Sequence, residues 1–192
     1  MTRRTKKRLI AASVIIICSV LLALLVSLGI GVVQKILHPV DYIQYVERYS
    51  NEYNVPEYII LAVINVESEF NKDAISSAGA IGLMQMLPDT FTWLSSFEHL
   101  NENLTVNDIY DPEVSIRYGT YYLRYLFEKF HNWDTVFAAY NGGEGNVAKW
   151  LNDPAYSNGD GTLKSIPFPE TARYVQKIND NIKYYKSTYY EE

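Results

Sequence analysis

Cysteine is almost absent from this chain: among 192 residues Cys18 is the only one, and it lies inside an uncharged apolar run. The rest of the chain therefore has no disulfide and relies on its own core. Histidine is scarce too. His38, His99 and His131 stand far apart without ligand-like spacing, so no zinc site is expected. There is no G-x-S-x-G elbow and no phosphate-binding loop. No repeat or low-complexity tract appears, and 48% hydrophobic with 20% charged residues is the composition of an ordinary globular protein.

Positive charge is also in short supply. Of 17 Lys and Arg, five (Arg3, Arg4, Lys6, Lys7 and Arg8) fall at the start, leaving 12 against all 22 Asp and Glu from Gln34 onward, a net charge of −10. A nucleic-acid partner is not expected, because phosphate binding needs basic patches. Such a surface is also repelled by anionic lipid. The stretch YSNGDGTLKSIP imitates a calcium loop at Asn158, Asp160 and Gly161, yet Tyr156 and Pro167 stand where its first and last ligands should be acidic. It reads as a turn, and neither metal nor cofactor is expected.

What is present begins with a basic segment, 1–8, followed by 25 uncharged residues from Leu9 to Val33. A helix of that length, at about 1.5 Å per residue, crosses a hydrocarbon core of roughly 30 Å with some tilt. A cleaved signal peptide is the rival reading, with Ser27-Leu28-Gly29 as a loose cleavage site. Signal apolar regions usually run about 7–15 residues, so the length favours a retained anchor. Ile17 before Cys18 is too bulky for lipoprotein processing. The expected organisation is a cytoplasmic segment 1–8, a transmembrane anchor 9–33, a short linker 34–40 and an outer domain 41–192. The basic start holds the N-terminus in the cytoplasm, which makes this a single-pass protein of the cell membrane with its domain outside and close to the bilayer.

In the outer domain, helical periodicity marks 41–53, about Val55 to Phe70, 80–97, 112–130, 133–140, 144–151 and 170–187. No strand alternation competes, so an all-α domain is expected. Pro56 and Pro112 suit first helical turns, with Asn54 and Asp111 as caps, and NGGEG and SNGDG read as turns. All 17 tyrosines belong to this domain, several in helical register. Most read as packing; a minority have a use in a sugar-binding groove, since aromatic faces stack on pyranose rings, and spacing alone does not choose which.

Ile60, Val63, Ile64 and Glu67 follow i, i+3, i+4, i+7, so Glu67 continues an apolar stripe while Glu69 points elsewhere. A carboxyl on a buried face is desolvated, which raises its pKa toward what a general acid needs. From the pattern alone, a helix already frayed at Glu67 with both glutamates solvated stands equally open. Ala78, Gly79, Ala80 and Gly82 then let backbone approach a ligand or a neighbouring helix closely, and Gln85 adds an amide among apolar neighbours.

ESEFN, then SSAGAIGLMQMLPDT, AAYNGGEGNVAKW and IPFPETARYVQKI, in that order and spacing, resemble the catalytic domain of soluble-lytic-transglycosylase-type murein enzymes, relatives of goose-type lysozymes. The resemblance runs from about Asp41 to Tyr185 and implies a lysozyme-like helical fold. It implies Glu67 as the single catalytic acid, with Ser68 beside it. Ser76 and Gln85 are implied to line the groove near the cleaved bond, Tyr140 to approach the catalytic glutamate and the reacting sugar with Asn141 next to it, and Glu170 to line the groove. Three departures from the family pattern stand out: Lys72 where proline is frequent, Gly143-Glu144 where a Gly/Ala-Pro pair is common, and Phe91 at a usually small position.

Ordinary glycosidases use two carboxyl groups. The resemblance implies one, with the substrate completing the reaction. Glu67 protonates the oxygen of the MurNAc-β-1,4-GlcNAc bond, the N-acetyl group shields the developing cation, and Glu67 as carboxylate takes the C6 hydroxyl proton to give a 1,6-anhydro end. The implied partners are peptidoglycan glycan strands, and cell-wall or secretion machinery partners stay unspecified. A goose-type hydrolase, or a weakly catalytic glycan-binding module of a secretion or conjugation apparatus, are the alternatives.

Overall fold

The computed structural model describes residues 3–97, 100 and 103–190; His99 lies outside them. The chain divides into two compact units, Met1–Pro39 and Val40–Glu192.

The first unit is one helix, α1 (Arg3–Leu37), of 35 residues. Its segment Ser13–Leu37 has a mean hydropathy of 2.9 and is long and apolar enough to cross a membrane. Val14 to Leu37 present exposed Ile, Leu and Val side chains. The helix takes in 34–37, the first part of the segment read from sequence as linker. It stops at Leu37 because His38 precedes Pro39, and a residue before proline is pushed out of helical backbone geometry.

The second unit is all-α, as expected. Its helices are α2 (Ile43–Tyr53), α3 (Glu57–Ser68), α4 (Pro88–Leu94), α5 (Pro112–Phe130), α6 (Trp133–Gly142), α7 (Glu144–Leu151) and α8 (Pro169–Tyr185), with a 3-10 turn at Val106–Tyr110. Among the described residues there is no strand, only isolated bridges such as Ile75 with Ile81 and Ile81 with Met86.

Helix α3 is the hub. Every residue from Ile59 to Asn65 is buried, the mark of a helix enclosed on all sides. It packs on α8 and α2, while α5 packs on α2 and α6, and α6 on α8. Asn65 Nδ2 donates to Asn181 Oδ1 at 2.7 Å, tying α3 to α8 with a polar bond inside this apolar packing.

The caps differ in part from expectation. Asp111 does cap α5, accepting from Glu113 N at 2.8 Å and Val114 N at 3.2 Å, with Pro112 opening the helix. Asn54 does not cap α3. It closes α2 in the left-handed region (φ 53°), its N–H bonded to Ser50 O, and Pro56 itself stands at the N-cap of α3.

The expected helix over 80–97 is reduced to Pro88–Leu94. Residues before it form turns, with Gly79 (φ 81°), Gly82 (φ 78°) and Gln85 (φ 47°) all left-handed. Only glycine fits at 82, since a Cβ there would lie 2.6 Å from Ile109 O. Leu83, Met84 and Met86 are still buried, so their apolar spacing reflects core packing of a turn-rich segment rather than a helix. Phe91 fills a second, smaller core, its ring 4.5 Å from that of Tyr118.

Candidate active site

Helix α3 is intact at Glu67. It runs on to Ser68, after which Glu69 (φ 51°) turns left-handed and its N–H closes on Asn65 O. The frayed-end reading is thereby removed. Glu67 is half-buried on the continuation of the Ile60–Val63–Ile64 stripe, and Glu69 is exposed.

The small-residue loop forms the wall facing this helix end, and its own hydrogen bonds hold it in shape. Ser76 Oγ accepts from Ala80 N at 3.0 Å, and Gly82 N donates to Ala74 O at 3.0 Å. Gln85 Nε2 donates to Ala74 O at 3.1 Å and Gly82 O at 3.0 Å. Ser68 Oγ donates to Leu83 O at 2.8 Å and Tyr140 Oη to Met84 O at 2.7 Å, so α3 and α6 both grip the loop.

Between these walls runs a groove of about 750 Å³. Glu67, Ser76, Gln85, Tyr140, Asn141 and Glu170 all line it, together with Tyr122, Thr90 and Phe168. Asn141 Oδ1 accepts from Thr171 Oγ1 at 2.8 Å, joining the end of α6 to the start of α8. Glu170 stands exposed on the rim, in the first turn of α8.

Burial pushes the Glu67 carboxyl up to about 7, against a partial pull downward from a hydrogen bond donated by Tyr174. That bond, Tyr174 Oη to Glu67 Oε1, is 2.6 Å long, the length of a charge-assisted contact. Burial, reinforced by the Glu67 charge, holds the phenols of Tyr174 and Tyr140 well above their ordinary range, so both remain donors. Tyr174, not Tyr140, bonds the carboxyl; it stands in the ETARYV stretch, where the sequence gives it no role. Its only signal was position: it lies one helical turn after Glu170. The arrangement is one proton-carrying carboxyl inside a long groove, oriented by a phenol, with the groove's other carboxylate out on the rim.

Residues 44–163 match the Transglycosylase SLT domain family, more than half of the chain. The chain belongs to this SLT-domain family. It is 34% identical over 151 residues to the soluble lytic murein transglycosylase of Escherichia coli K12, covering 77% of this chain and 23% of that protein. It is 31% identical over 168 residues to membrane-bound lytic murein transglycosylase C of Edwardsiella ictaluri, covering 76% of this chain and 46% of that one. A solved structure of an inactive glutamate-to-glutamine mutant of the lytic transglycosylase Slt from Pseudomonas aeruginosa superposes with a TM-score of 0.71 at 32% identity, covering 80% of this chain and 25% of that one. The chain thus spans from a quarter to a half of the length of these relatives, and its helical unit has the lysozyme-like fold of the SLT family.

Of the three departures from the SLT pattern, those at Lys72 and Phe91 lie outside the groove lining, and Gly143 belongs to it. Lys72 is on the surface, 2.8 Å from Asp73. Phe91 is in the second core. Gly143 joins α6 to α7 with φ 87°, and Glu144 next to it pairs with Lys129 at 2.9 Å.

Proposed function

We propose that this chain is a membrane-anchored peptidoglycan lytic transglycosylase that cleaves the MurNAc-β-1,4-GlcNAc bond without water. The observation that carries the reading is Glu67, the one groove carboxyl away from the exposed rim, held near a pKa of about 7. At neutral pH both of its forms are populated, which suits a group that must act first as acid and then as base. Protonated Glu67 gives its proton to the glycosidic oxygen as the bond to C1 breaks, and the GlcNAc side leaves as an alcohol. The bond from Tyr174 stabilises the resulting carboxylate on Oε1. The carboxylate then removes the C6 hydroxyl proton of the MurNAc unit as O6 closes on C1, restoring the acid. The attacking hydroxyl is part of the substrate and outcompetes water through effective concentration.

Ser76, Gln85, Tyr140, Asn141 and Glu170 are assigned here to holding the strand. Gln85 and Tyr140 act in part by fixing the loop, since both spend donors on its carbonyls. The activity of the murein transglycosylases similar to it supports the substrate class, and membrane-bound relatives and the apolar α1 support the anchor. In this reading the basic N-terminus stays in the cytoplasm and a short tether confines cutting to wall near the membrane.

Mass analysis of wall digests tests the proposal. Products ending in 1,6-anhydro-MurNAc, lighter by one water than hydrolysed ends, are expected. Reducing ends throughout would transfer the assignment to a goose-type hydrolase.

A further inference from the structure

Three elements that line the groove each carry, one to three residues further along the chain, a side chain outside the groove lining, and two of these, on α4 and α5, touch. On α4, Thr90 lines the groove and Trp93 stands three residues on, one helical turn further. On α5, Tyr122 lines the groove and Tyr125 stands three residues on, its ring nearly parallel to that of Tyr122 (14°, 6.2 Å between centroids). At the start of α7, Gly143 lines the groove and Glu144 follows it. Trp93 closes the group: its ring lies 5.1 Å from Tyr125 and 6.3 Å from Tyr122. From the other side, Tyr122 lies 5.3 Å from Tyr140 beside the catalytic carboxyl. An aromatic track therefore leads from Tyr140 through Tyr122 to Tyr125 and Trp93.

We infer that Trp93 and Tyr125 form an additional sugar-stacking subsite for the glycan strand beyond the catalytic groove, with the Glu144–Lys129 pair as its polar edge. Packing of α4 on α5 accounts for aromatic contact but not for a tryptophan left 38% exposed beside a groove. A pyranose ring offers an apolar face to an aromatic ring and hydroxyls at its perimeter. Trp93 and Tyr125 supply the first partner; Glu144, its Oε2 bonded to Lys129 Nζ at 2.9 Å, supplies the second. The continuing strand is the one ligand already placed at the entrance by the proposed function, and the subsite rests on that reading.

The test measures binding and cleavage of muropeptide-free glycan oligosaccharides of four to eight sugars by the full chain in detergent. Binding is read in the Glu67→Gln background, so that no turnover intervenes. Trp93→Leu keeps apolar cover over Tyr125 and should weaken the Kd for the longest oligosaccharide roughly three- to tenfold, the scale of one aromatic contact. The shortest should bind as before, and Trp93→Phe should recover most of the loss. In the active chain, Trp93→Leu should raise KM for long strands with kcat unchanged. Equal losses at every length, or none at any, would overturn the subsite while leaving the catalytic reading in place. A parent chain that neither binds nor cuts glycan would overturn both.

Discussion

Replacing Glu67 with glutamine makes a prediction about stability as well as activity. The carboxyl titrates at about 7 in the folded protein against an ordinary value of 4.5, so between those pH values the folded state holds a proton that the unfolded chain has lost. Stability attributable to this group is therefore full below about 4.5 and falls as pH rises toward 7. At about 1.4 kcal/mol per unit, the ionised carboxyl costs the folded protein roughly 3 kcal/mol by pH 8. Glutamine has the same size, still accepts from Tyr174, and carries no charge to desolvate. Glu67→Gln should thus raise Tm by roughly 5–10 °C at pH 8 and by little at pH 4.5. Turnover should fall at least about a hundredfold, the scale of general acid catalysis. Thermal unfolding of the full chain in detergent, followed by the helical signal of the second unit at both pH values, reads the difference. An equal change in Tm at the two values would show an ordinary solvated carboxyl and refute the argument.

Tyr174→Phe removes the one bond that favours ionised Glu67, a charge-assisted contact worth about 1.5–3 kcal/mol, so the alkaline limb of the kcat/KM profile should move up by roughly one to two pH units; an unmoved limb would show that the bond does not tune the acid. Gln85→Ala removes two side-chain hydrogen bonds, to Ala74 O and Gly82 O, which keep their backbone donors Gly82 N and Gln85 N, so it should lower stability by about 1–3 kcal/mol and activity with it, as denaturant titration alongside wall digestion would show; lost activity at unchanged stability would make Gln85 a substrate contact alone. Glu69→Gln should digest wall at the parent rate, because its side chain is exposed and off the Glu67 face, and a large loss would move the acid assignment. Protease added to wall-stripped cells should digest the outer unit and leave a membrane-bound N-terminal fragment, whereas an outer unit released into the medium and beginning near Ile30 would identify the apolar run as a cleaved signal.

The position of Glu67 was legible because it depends on one local rule, 3.6 residues per turn, applied to a helix whose apolar residues surround it. The same rule misled at 80–97. There Ile81, Leu83, Met84 and Met86 are buried by a chain path full of left-handed residues, and hydrogen bonds that reach back eight residues, such as Gly82 N to Ala74 O, carry no periodic signature. Asn54 was misplaced by a single element boundary: the Asn-Val-Pro stretch between α2 and α3 accommodates a left-handed C-cap for the first helix as readily as an N-cap for the second. Tyr174 was out of reach for a different reason. Its partner lies 107 residues away, and nothing in its own neighbourhood separates it from the other tyrosines used for packing.

In the proposed reaction, that long-range bond lets one carboxyl serve two opposite roles. Burial alone would keep Glu67 protonated and leave it a poor base; a strong donor set alone would ionise it and remove the acid. Here the two influences oppose each other and leave the pKa near the pH at which both forms are needed. The balance depends on the packing of α3 against α8, because Glu67 is carried by one helix and Tyr174 by the other. Asn65 and Asn181 link the same two helices, with Asn65 two residues before the acid and Asn181 seven after the phenol. The register that places the phenol on the carboxyl is thus supported by the α3–α8 contact and its half-buried amide pair, and the loop bearing Ser76 and Gln85 closes over a site whose acidity those helices help to set.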